Sequence, residues 1–248
     1  MNDLIYHNGQ HYDLLLPDHG NDLPFWLRWA ERCGSPILEL GCGTGRLTIL
    51  IAKHGFAMTG IDFTTAMLNE ARAKSKAAHA QISWVEGDMR SFDLSQQFNM
   101  IFLPANTLCH LLTHADFEAC IKCVQNHLSK NGRFIVDVFV PNLSLLVASS
   151  ARREFSRYLD PNSMGEILVT SLNQYAADTQ INHVQTFYKL PGQLDEIAGE
   201  LNMRMYFPQE LDALLCYNGF EIEAKFGTYD ETQFGPQSEK QLVVCRKQ

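Results

Sequence analysis

The chain lacks dense clusters of basic residues. Its 248 residues include 20 lysines and arginines against 28 aspartates and glutamates, a formal net charge of −8. Binding to a phosphate backbone depends on clustered lysine and arginine, so we expect no nucleic-acid partner. The sequence leaves the oligomeric state open, a homodimer included.

Long apolar runs are also missing. No stretch reaches the roughly 18 apolar residues that a membrane-spanning helix needs. The first residues, Met-Asn-Asp-Leu-Ile-Tyr-His, have neither the basic nor the apolar region of a secretion signal. We therefore expect a soluble cytoplasmic protein with no membrane partner.

Cysteine is too scattered for a disulfide framework. The seven cysteines are odd in number, and Cys120 and Cys123 form the only C-x-x-C pair. That pair falls in a predicted helix without a second pair at zinc-ribbon spacing, so we expect reduced thiols and no metal site. Nor is there a clear acid cluster for magnesium.

What is present is a regular alternation of strand-like and helix-like segments over the first 140 residues, which is typical of an α/β fold with a parallel sheet covered on both faces. Helices are predicted near residues 22–32, 44–54, 64–78 and 114–129, the last closed by Asn131-Gly132. The five predicted strands are Ile37 to Leu40, Phe56 to Ile61, Gln81 to Glu86, Phe98 to Leu103 and Arg133 to Val140.

Beyond Pro141 the pattern changes to alternating apolar and polar residues without intervening helices, as in Val184-Gln-Thr-Phe-Tyr. This predicts an antiparallel β insertion over residues 141–207. A capped helix from Pro208 to Gly219 and strands over Phe220 to Phe226 and Gln241 to Arg246 follow. We therefore predict a core made of residues 1–140 and 208–248, with the insertion covering the substrate site as a lid.

The segment Pro36-Ile-Leu-Glu-Leu-Gly-Cys-Gly-Thr-Gly-Arg46 joins a buried strand to a glycine turn. Gly41, Gly43 and Gly45 let the backbone approach a ligand, and Cys42 is small enough for the same turn. A dinucleotide fingerprint needs glycine at position 46, which is arginine here. Glu39 beside the turn would repel a pyrophosphate and suits an ammonium group, such as the amino-acid end of S-adenosylmethionine.

Acids recur at the ends of successive predicted strands, where open α/β sheets bind ligands. Glu39 is followed by Asp62, whose two oxygens can accept both hydroxyls of a ribose. Asp88 is then predicted to accept from the exocyclic amine of an adenine, with Met89 or Phe63 packed on the ring. The ordered series is more specific than any one acid.

With these blocks the sequence resembles the class I S-adenosylmethionine-dependent methyltransferases. Ile37-Leu-Glu-Leu-Gly-Cys-Gly-Thr-Gly, Gly60-Ile-Asp-Phe-Thr-Thr-Ala-Met-Leu, Glu86-Gly-Asp-Met-Arg-Ser-Phe and Gly132-Arg-Phe-Ile-Val-Asp-Val-Phe match in order. The resemblance implies a Rossmann-like seven-stranded sheet, mostly parallel and closed by an antiparallel hairpin. It adds Met67 and Leu103 to the expected cofactor contacts and places Ala105 to His110 towards the transferable methyl.

More narrowly, the chain resembles the small-molecule branch with sugar N,N-dimethyltransferases, which shares an early Tyr-Asp and a His-Leu pair after the fourth strand. This makes Tyr12 and His110 the catalytic candidates. His110 is either a base that removes a proton or a capping or packing residue. Tyr12 either covers the sulfonium by cation–π contact or only packs the first helix.

Together these features predict a methyltransferase that transfers a methyl group from S-adenosyl-L-methionine to a nitrogen or oxygen of a small-molecule acceptor. The alternative from another class is a non-catalytic S-adenosylmethionine-binding sensor or partner subunit. A nicotinamide enzyme is a weaker third reading.

Overall fold

The computed structural model describes residue 6 and residues 8–16, 20–147, 151–161 and 165–248. The helices over these residues are α1 (Gly9–Leu15), α2 (Leu23–Cys33), α3 (Arg46–Lys53), α4 (Thr65–Ala77), α5 (His114–His127), α6 (Leu143–Val147) and α7 (Pro208–Tyr217). The strands are β1 (Ile37–Leu40), β2 (Met58–Asp62), β3 (Ile82–Glu86), β4 (Phe98–Leu103), β5 (Leu128–Phe139), β6 (Arg153–Leu159), β7 (Glu166–Ala176), β8 (Ile181–Lys189), β9 (Ile197–Arg204), β10 (Phe220–Phe226) and β11 (Lys240–Lys247).

The larger sheet within the described ranges has seven strands in the order β10-β11-β5-β4-β1-β2-β3. Strands β1 to β5 pair in parallel, whereas β11 pairs antiparallel with both β5 and β10. Strand β1 is buried along its whole length, as expected of a parallel strand covered on both faces. The predicted Rossmann-like fold with its closing antiparallel hairpin is confirmed.

Large apolar side chains hold helix α2 on this sheet. Phe25 and Trp26 are fully buried, and the ring of Trp26 lies 4.7 Å from that of Phe102 on β4. Two rotatable bonds let such aromatic residues bury much apolar area at low entropic cost, so this contact anchors the helix that precedes β1.

The end of helix α5 differs from the prediction. The sequence predicts a helix that continues to residue 129 and closes at Asn131-Gly132, but α5 ends at His127, and Leu128 is already extended with φ −80° and ψ 131°. Leu128 pairs with Phe98, and the Lys247 amine donates to the Leu128 carbonyl. The backbone at Leu128 is therefore already paired within the sheet, and the helix ends before it reaches the predicted cap at Asn131-Gly132.

The smaller sheet has four antiparallel strands, in the order β6-β7-β8-β9 within the described residues. It confirms the antiparallel insertion in the predicted fold. The short helix α6 precedes it, a helix that the alternating pattern did not predict. Contacts group the described parts of Met1–His19 and Asn142–Met205 into one compact unit and those of Gly20–Pro141 and Tyr206–Gln248 into a second.

Helix α1 therefore groups with the insertion, whereas the sequence predicts that residues 1–140 belong to the core. Leu15, at the end of α1, is buried in a cluster with Tyr158, Ile167, Val169 and Tyr188 of the smaller sheet. A seven-residue helix has little stability of its own, so the sheet face that buries its apolar side decides where it belongs.

Within the described residues, no helix is both long enough and apolar enough to cross a membrane.

The packing of α1 gives a testable prediction. Leu15→Ala should destabilise the unit that contains the smaller sheet by about 2–5 kcal/mol, because Leu15 is only 4% exposed and its removal leaves a cavity. Hydrogen exchange should accelerate in β6 to β8. Leu14→Ala on the same helix is the control, since Leu14 is 41% exposed. Equal effects of both variants would contradict the packing.

Candidate functional site

The carboxyl ends of four parallel strands bring the predicted residues to one edge of the larger sheet. Strand β1 lies between β2 and β4, so the chain runs outward through β2 and β3 and then returns to the other side of β1. Such a reversal of strand order leaves a crevice at the carboxyl ends of the central strands. Glu39, Asp62 and Leu103 all stand at this edge.

The glycine turn follows β1 with a left-handed backbone. Gly41, Gly43 and Gly45 have φ values of 66°, 54° and 82°, a region that glycine enters without steric cost. Asp62 supports the turn from the neighbouring strand: its Oδ2 accepts from the Gly43 N–H at 2.8 Å, and its Oδ1 accepts from the Thr64 N–H at 2.8 Å. Asp62 thus connects two loops of the site.

Trp84 on β3 fills the space behind this turn, a role that the sequence did not reveal. A Cβ at Gly60 would lie 2.7 Å from the Trp84 ring, and one at Gly45 would lie 2.6 Å from it. The signal was the glycine within the predicted second strand, because such a glycine often marks a close approach of another group. Only the pairing of Gly60 with Trp84 identifies that group.

Glu39 is buried at the end of β1, only 3% exposed. Its Oε2 accepts a hydrogen bond from the Thr48 hydroxyl of α3. Burial raises the pKa of Glu39 to about 8, because desolvation of the carboxylate outweighs this hydrogen bond and the nearby charge of Arg46. A positively charged group placed beside it would favour its ionised form.

Arg46 replaces the glycine of a dinucleotide fingerprint and forms a bidentate ion pair. Its two terminal nitrogens donate to Asp22 at 2.7 Å and 2.6 Å. Burial alone would raise the pKa of Asp22, but the hydrogen bonds and charge of Arg46 lower it overall. The pair ties the first turn of α3 to the start of α2.

Asp88 after β3 also has an arginine partner. The Arg90 guanidinium donates to both Asp88 oxygens, and its other terminal nitrogen reaches Asp116 at 2.6 Å. Hydrogen bonding from Arg90 lowers the pKa of Asp88, so its carboxylate is ionised at neutral pH. An adenine amine would share this carboxylate with Arg90, a partner that the sequence did not indicate.

The other predicted cofactor residues differ in exposure. Phe63 is 68% exposed beside Asp62, so its ring is open to a ligand, and Met89 is half-buried. Cys42, Met67 and Leu103 are buried beneath the edge. Burial raises the pKa of the Cys42 thiol, which therefore stays protonated. It is a small packing residue rather than a nucleophile.

A strained turn follows β4. Ala105 and Asn106 have φ values of 51° and 65°, and a short 3₁₀ helix, Thr107–His110, comes next. The side chain of Thr107 lies against the glycine turn, because a Cβ at Gly41 would be 2.4 Å from its methyl group. The segment expected to face the methyl therefore contacts the predicted cofactor loop.

His110 is largely buried at the end of this short helix. Desolvation of the charged imidazolium lowers the pKa of His110 to about 4, so the ring is neutral at pH 7. A base with so low a pKa is weak, which argues against the efficient proton removal that an ordinary histidine would provide.

Tyr12 lies on α1 in the other compact unit. It packs beside the cluster around Leu15, and its ring is 5.9 Å from that of Tyr6. These contacts correspond to the packing alternative for Tyr12, and its contact with a sulfonium stays a prediction. In the same unit, His11 Nδ1 and the Tyr158 hydroxyl are 3.0 Å apart.

Comparison with known proteins agrees with this geometry. A family model described as a methyltransferase domain matches residues 37–132, which include β1 to β4 and the glycine turn. The chain is a class I S-adenosylmethionine-dependent methyltransferase, and S-adenosyl-L-methionine is its methyl donor. The predicted class, enzyme activity and cofactor are confirmed.

The similarity to three known proteins covers most of the chain. It is 26% identical to the YqeM protein of Bacillus subtilis over 229 residues, 90% of this chain and 89% of that protein. It is 21% identical to the cypemycin N-terminal methyltransferase of a Streptomyces species, covering 87% and 84%. The fold matches the sugar N-methyltransferase KedS8 of a Streptoalloteichus species with a TM-score of 0.71 at 18% identity, covering 94% and 89%.

Glu39 gives a pH-dependent prediction. Its pKa is raised on folding, so its contribution to stability is fully present below the unfolded value near 4.5 and is lost as the pH rises towards about 8. Measured against Glu39→Gln, which stays neutral, the ligand-free protein should lose stability to urea across this window. Parallel pH profiles for the two proteins would show that Glu39 ionises normally.

Proposed function

We propose that this methyltransferase acts on a small molecule, at a nitrogen or oxygen, with an amine nitrogen as the first choice. One of the similar proteins is named an N-terminal methyltransferase and another a sugar N-methyltransferase. The net charge of −8 argues against a nucleic-acid acceptor.

The low basicity of His110 is the observation that favours a nitrogen atom as the methyl acceptor. A neutral amine attacks with its own lone pair and releases its proton to water after the transfer, so it needs no strong base. A hydroxyl acceptor must lose its proton during the attack, which a histidine of pKa about 4 assists poorly. We assign the neutral imidazole of His110 to hydrogen bonding that orients the acceptor.

The site has the features that S-adenosylmethionine requires. A Cβ at Gly43 would have no atom within 4 Å, so the turn has space beside its backbone, while Glu39 offers a buried carboxyl and Phe63 an exposed ring. When bound, the cofactor supplies a methyl group activated by a sulfonium. The enzyme then has mainly to align the acceptor with that methyl.

We assign the residues of this edge as follows. Glu39 receives the ammonium group of the cofactor, and the added positive charge promotes loss of the Glu39 proton. Asp62 accepts from the ribose hydroxyls with the lone pairs that its bonds to Gly43 and Thr64 leave free. Phe63, Met89 and Asp88 form the adenine end, with Asp88 shared with Arg90.

We also place the enzyme in the cytoplasm. All seven cysteines lie in the described part of the chain as free thiols, the state that a reducing compartment maintains. The predicted role of the insertion as a lid over the acceptor remains part of the proposal.

Transfer of a labelled methyl group tests the acceptor class. Incubation with S-adenosylmethionine and panels of amines, phenols and carboxylates should label amines. His110→Asn should leave the affinity for S-adenosylhomocysteine unchanged and lower turnover about tenfold, the loss expected for one orienting hydrogen bond.

Exclusive labelling of phenols or carboxylates would contradict the choice of nitrogen. Undiminished turnover of His110→Asn would remove its role. Cofactor binding without transfer to any panel member would contradict an acceptor of these three classes.

Asp62 tests the cofactor assignment. Asp62→Ala should lower the affinity for S-adenosylhomocysteine at least tenfold, about 1.4 kcal/mol, because it removes charge-assisted hydrogen bonds to the ligand and the support of Gly43. Calorimetry measures the change. Asp93→Ala, with a side chain that is 84% exposed, is the control. Equal affinities in the folded Asp62 and Asp93 variants would overturn the assignment.

A further inference from the structure

The turn after β4 contains two adjacent left-handed residues, neither of them glycine. Ala105 has φ 51° and Asn106 has φ 65°. Asparagine tolerates this region, but alanine enters it at a steric cost. Such a conformation persists only where surrounding contacts impose it, and these positions cluster at functional sites.

Asp137, at the end of β5, contacts both strained residues. Its Oδ2 accepts from the Ala105 N–H at 3.1 Å, and its backbone carbonyl accepts from the Asn106 N–H at 3.0 Å. The side chain of Asn106 also bonds to β5, because its Oδ1 accepts from the Phe139 N–H at 2.8 Å. The end of β5 thus binds the turn through three hydrogen bonds.

Two residues of the C-terminal hairpin hold the Asp137 carboxylate. Asp137 is fully buried, yet Tyr229 donates its hydroxyl to Oδ2 at 2.8 Å and the Lys240 amine donates to Oδ1 at 3.2 Å. Burial, together with the charge of Asp137, raises the pKa of Tyr229, so the phenol keeps the proton that it donates. A buried carboxylate is costly unless it is paired in this way.

The residue that follows this turn contacts the glycine turn after β1. Thr107 directly follows the two left-handed residues and lies so close to Gly41 that no side chain fits between them. Since Gly41 opens the loop assigned to the cofactor, the backbone angles of Ala105 and Asn106 decide where Thr107 presses on that loop.

We propose that Asp137, held by Tyr229 and Lys240, is a positioning residue that locks the Ala105-Asn106 turn and, through Thr107, sets the shape of the cofactor loop. This rests on the proposed cofactor assignment. Asp137 does not contact the cofactor in this proposal. It stabilises a backbone conformation that the residues of the turn would not adopt by themselves.

Calorimetry with S-adenosylhomocysteine and hydrogen exchange test the lock. Asp137→Leu, which replaces the two carboxylate oxygens with methyl groups on the same branched side chain, should weaken binding at least tenfold and accelerate exchange of the Ala105 and Asn106 amides. Asp137→Asn keeps one oxygen for Ala105 and should lose less than threefold.

The decisive variant is Ala105→Gly in the Asp137→Leu background. Glycine adopts the left-handed conformation without cost, so affinity should return to within about threefold of the wild type. His79→Gly is the matched control: His79 is exposed, has φ 53° and lies after α4, so relief of strain there should restore nothing. Restoration by both glycines would mean that Asp137 contributes only general stability.

Two further arms separate the possible failures. If Asp137→Leu does not fold, Tyr229→Phe serves instead, with about a threefold loss and the same rescue by Ala105→Gly. If Asp62→Ala weakens binding but the folded Asp137 and Tyr229 variants do not, the lock is refuted and the cofactor assignment stands. If Asp62→Ala has no effect either, the cofactor assignment fails and the lock loses its basis.

Discussion

The left-handed backbone of the glycine turn is the constraint on which the rest of the site depends. A hydrogen bond from the Gly45 N–H to the Cys42 carbonyl closes the turn from within. Neighbouring strands and loops add three contacts: Asp62 accepts from the Gly43 N–H, Trp84 fills the space behind Gly45, and Thr107 lies against Gly41. Each contact comes from a different strand or from the loop that follows it. The parallel pairing of β1 with β2 and β4, and of β2 with β3, brings these contacts together, so the sheet shapes the glycine turn.

The buried carboxylates of the larger unit show two electrostatic designs. Asp22 is paired with Arg46, and Asp137 is paired with Lys240 and Tyr229. These partners stabilise charge in the interior. Glu39 instead has a neutral hydroxyl, that of Thr48, as its hydrogen-bond partner, and its pKa rises to about 8. The paired acids fix structure, whereas in our proposal Glu39 becomes ionised when the ammonium group of the cofactor binds. This contrast is the electrostatic basis for assigning Glu39 to the ammonium group.

Much of the larger unit could be predicted because local signals and the fold agree. Strands β1, β4 and β10 have the bounds that their apolar runs indicate, and the glycine turn lies where its spacing indicates. The predictions failed where a distant contact overrides the local pattern. Helix α5 ends early because Leu128 pairs with Phe98, and α1 groups with the smaller sheet because that sheet buries Leu15.

The sequence by itself determined the class of enzyme and its methyl donor, because an ordered series of acids and glycines at successive strand ends survives in the linear order of residues. Only the tertiary structure decided the pKa and the hydrogen-bond partners of each side chain. It moved the pKa of His110 to about 4, paired Asp88 with Arg90, and joined Asp137 to Ala105 across 32 positions. Desolvation and hydrogen bonding depend on which groups lie close together in space. Strand order and register determine those contacts, and the spacing along the chain does not.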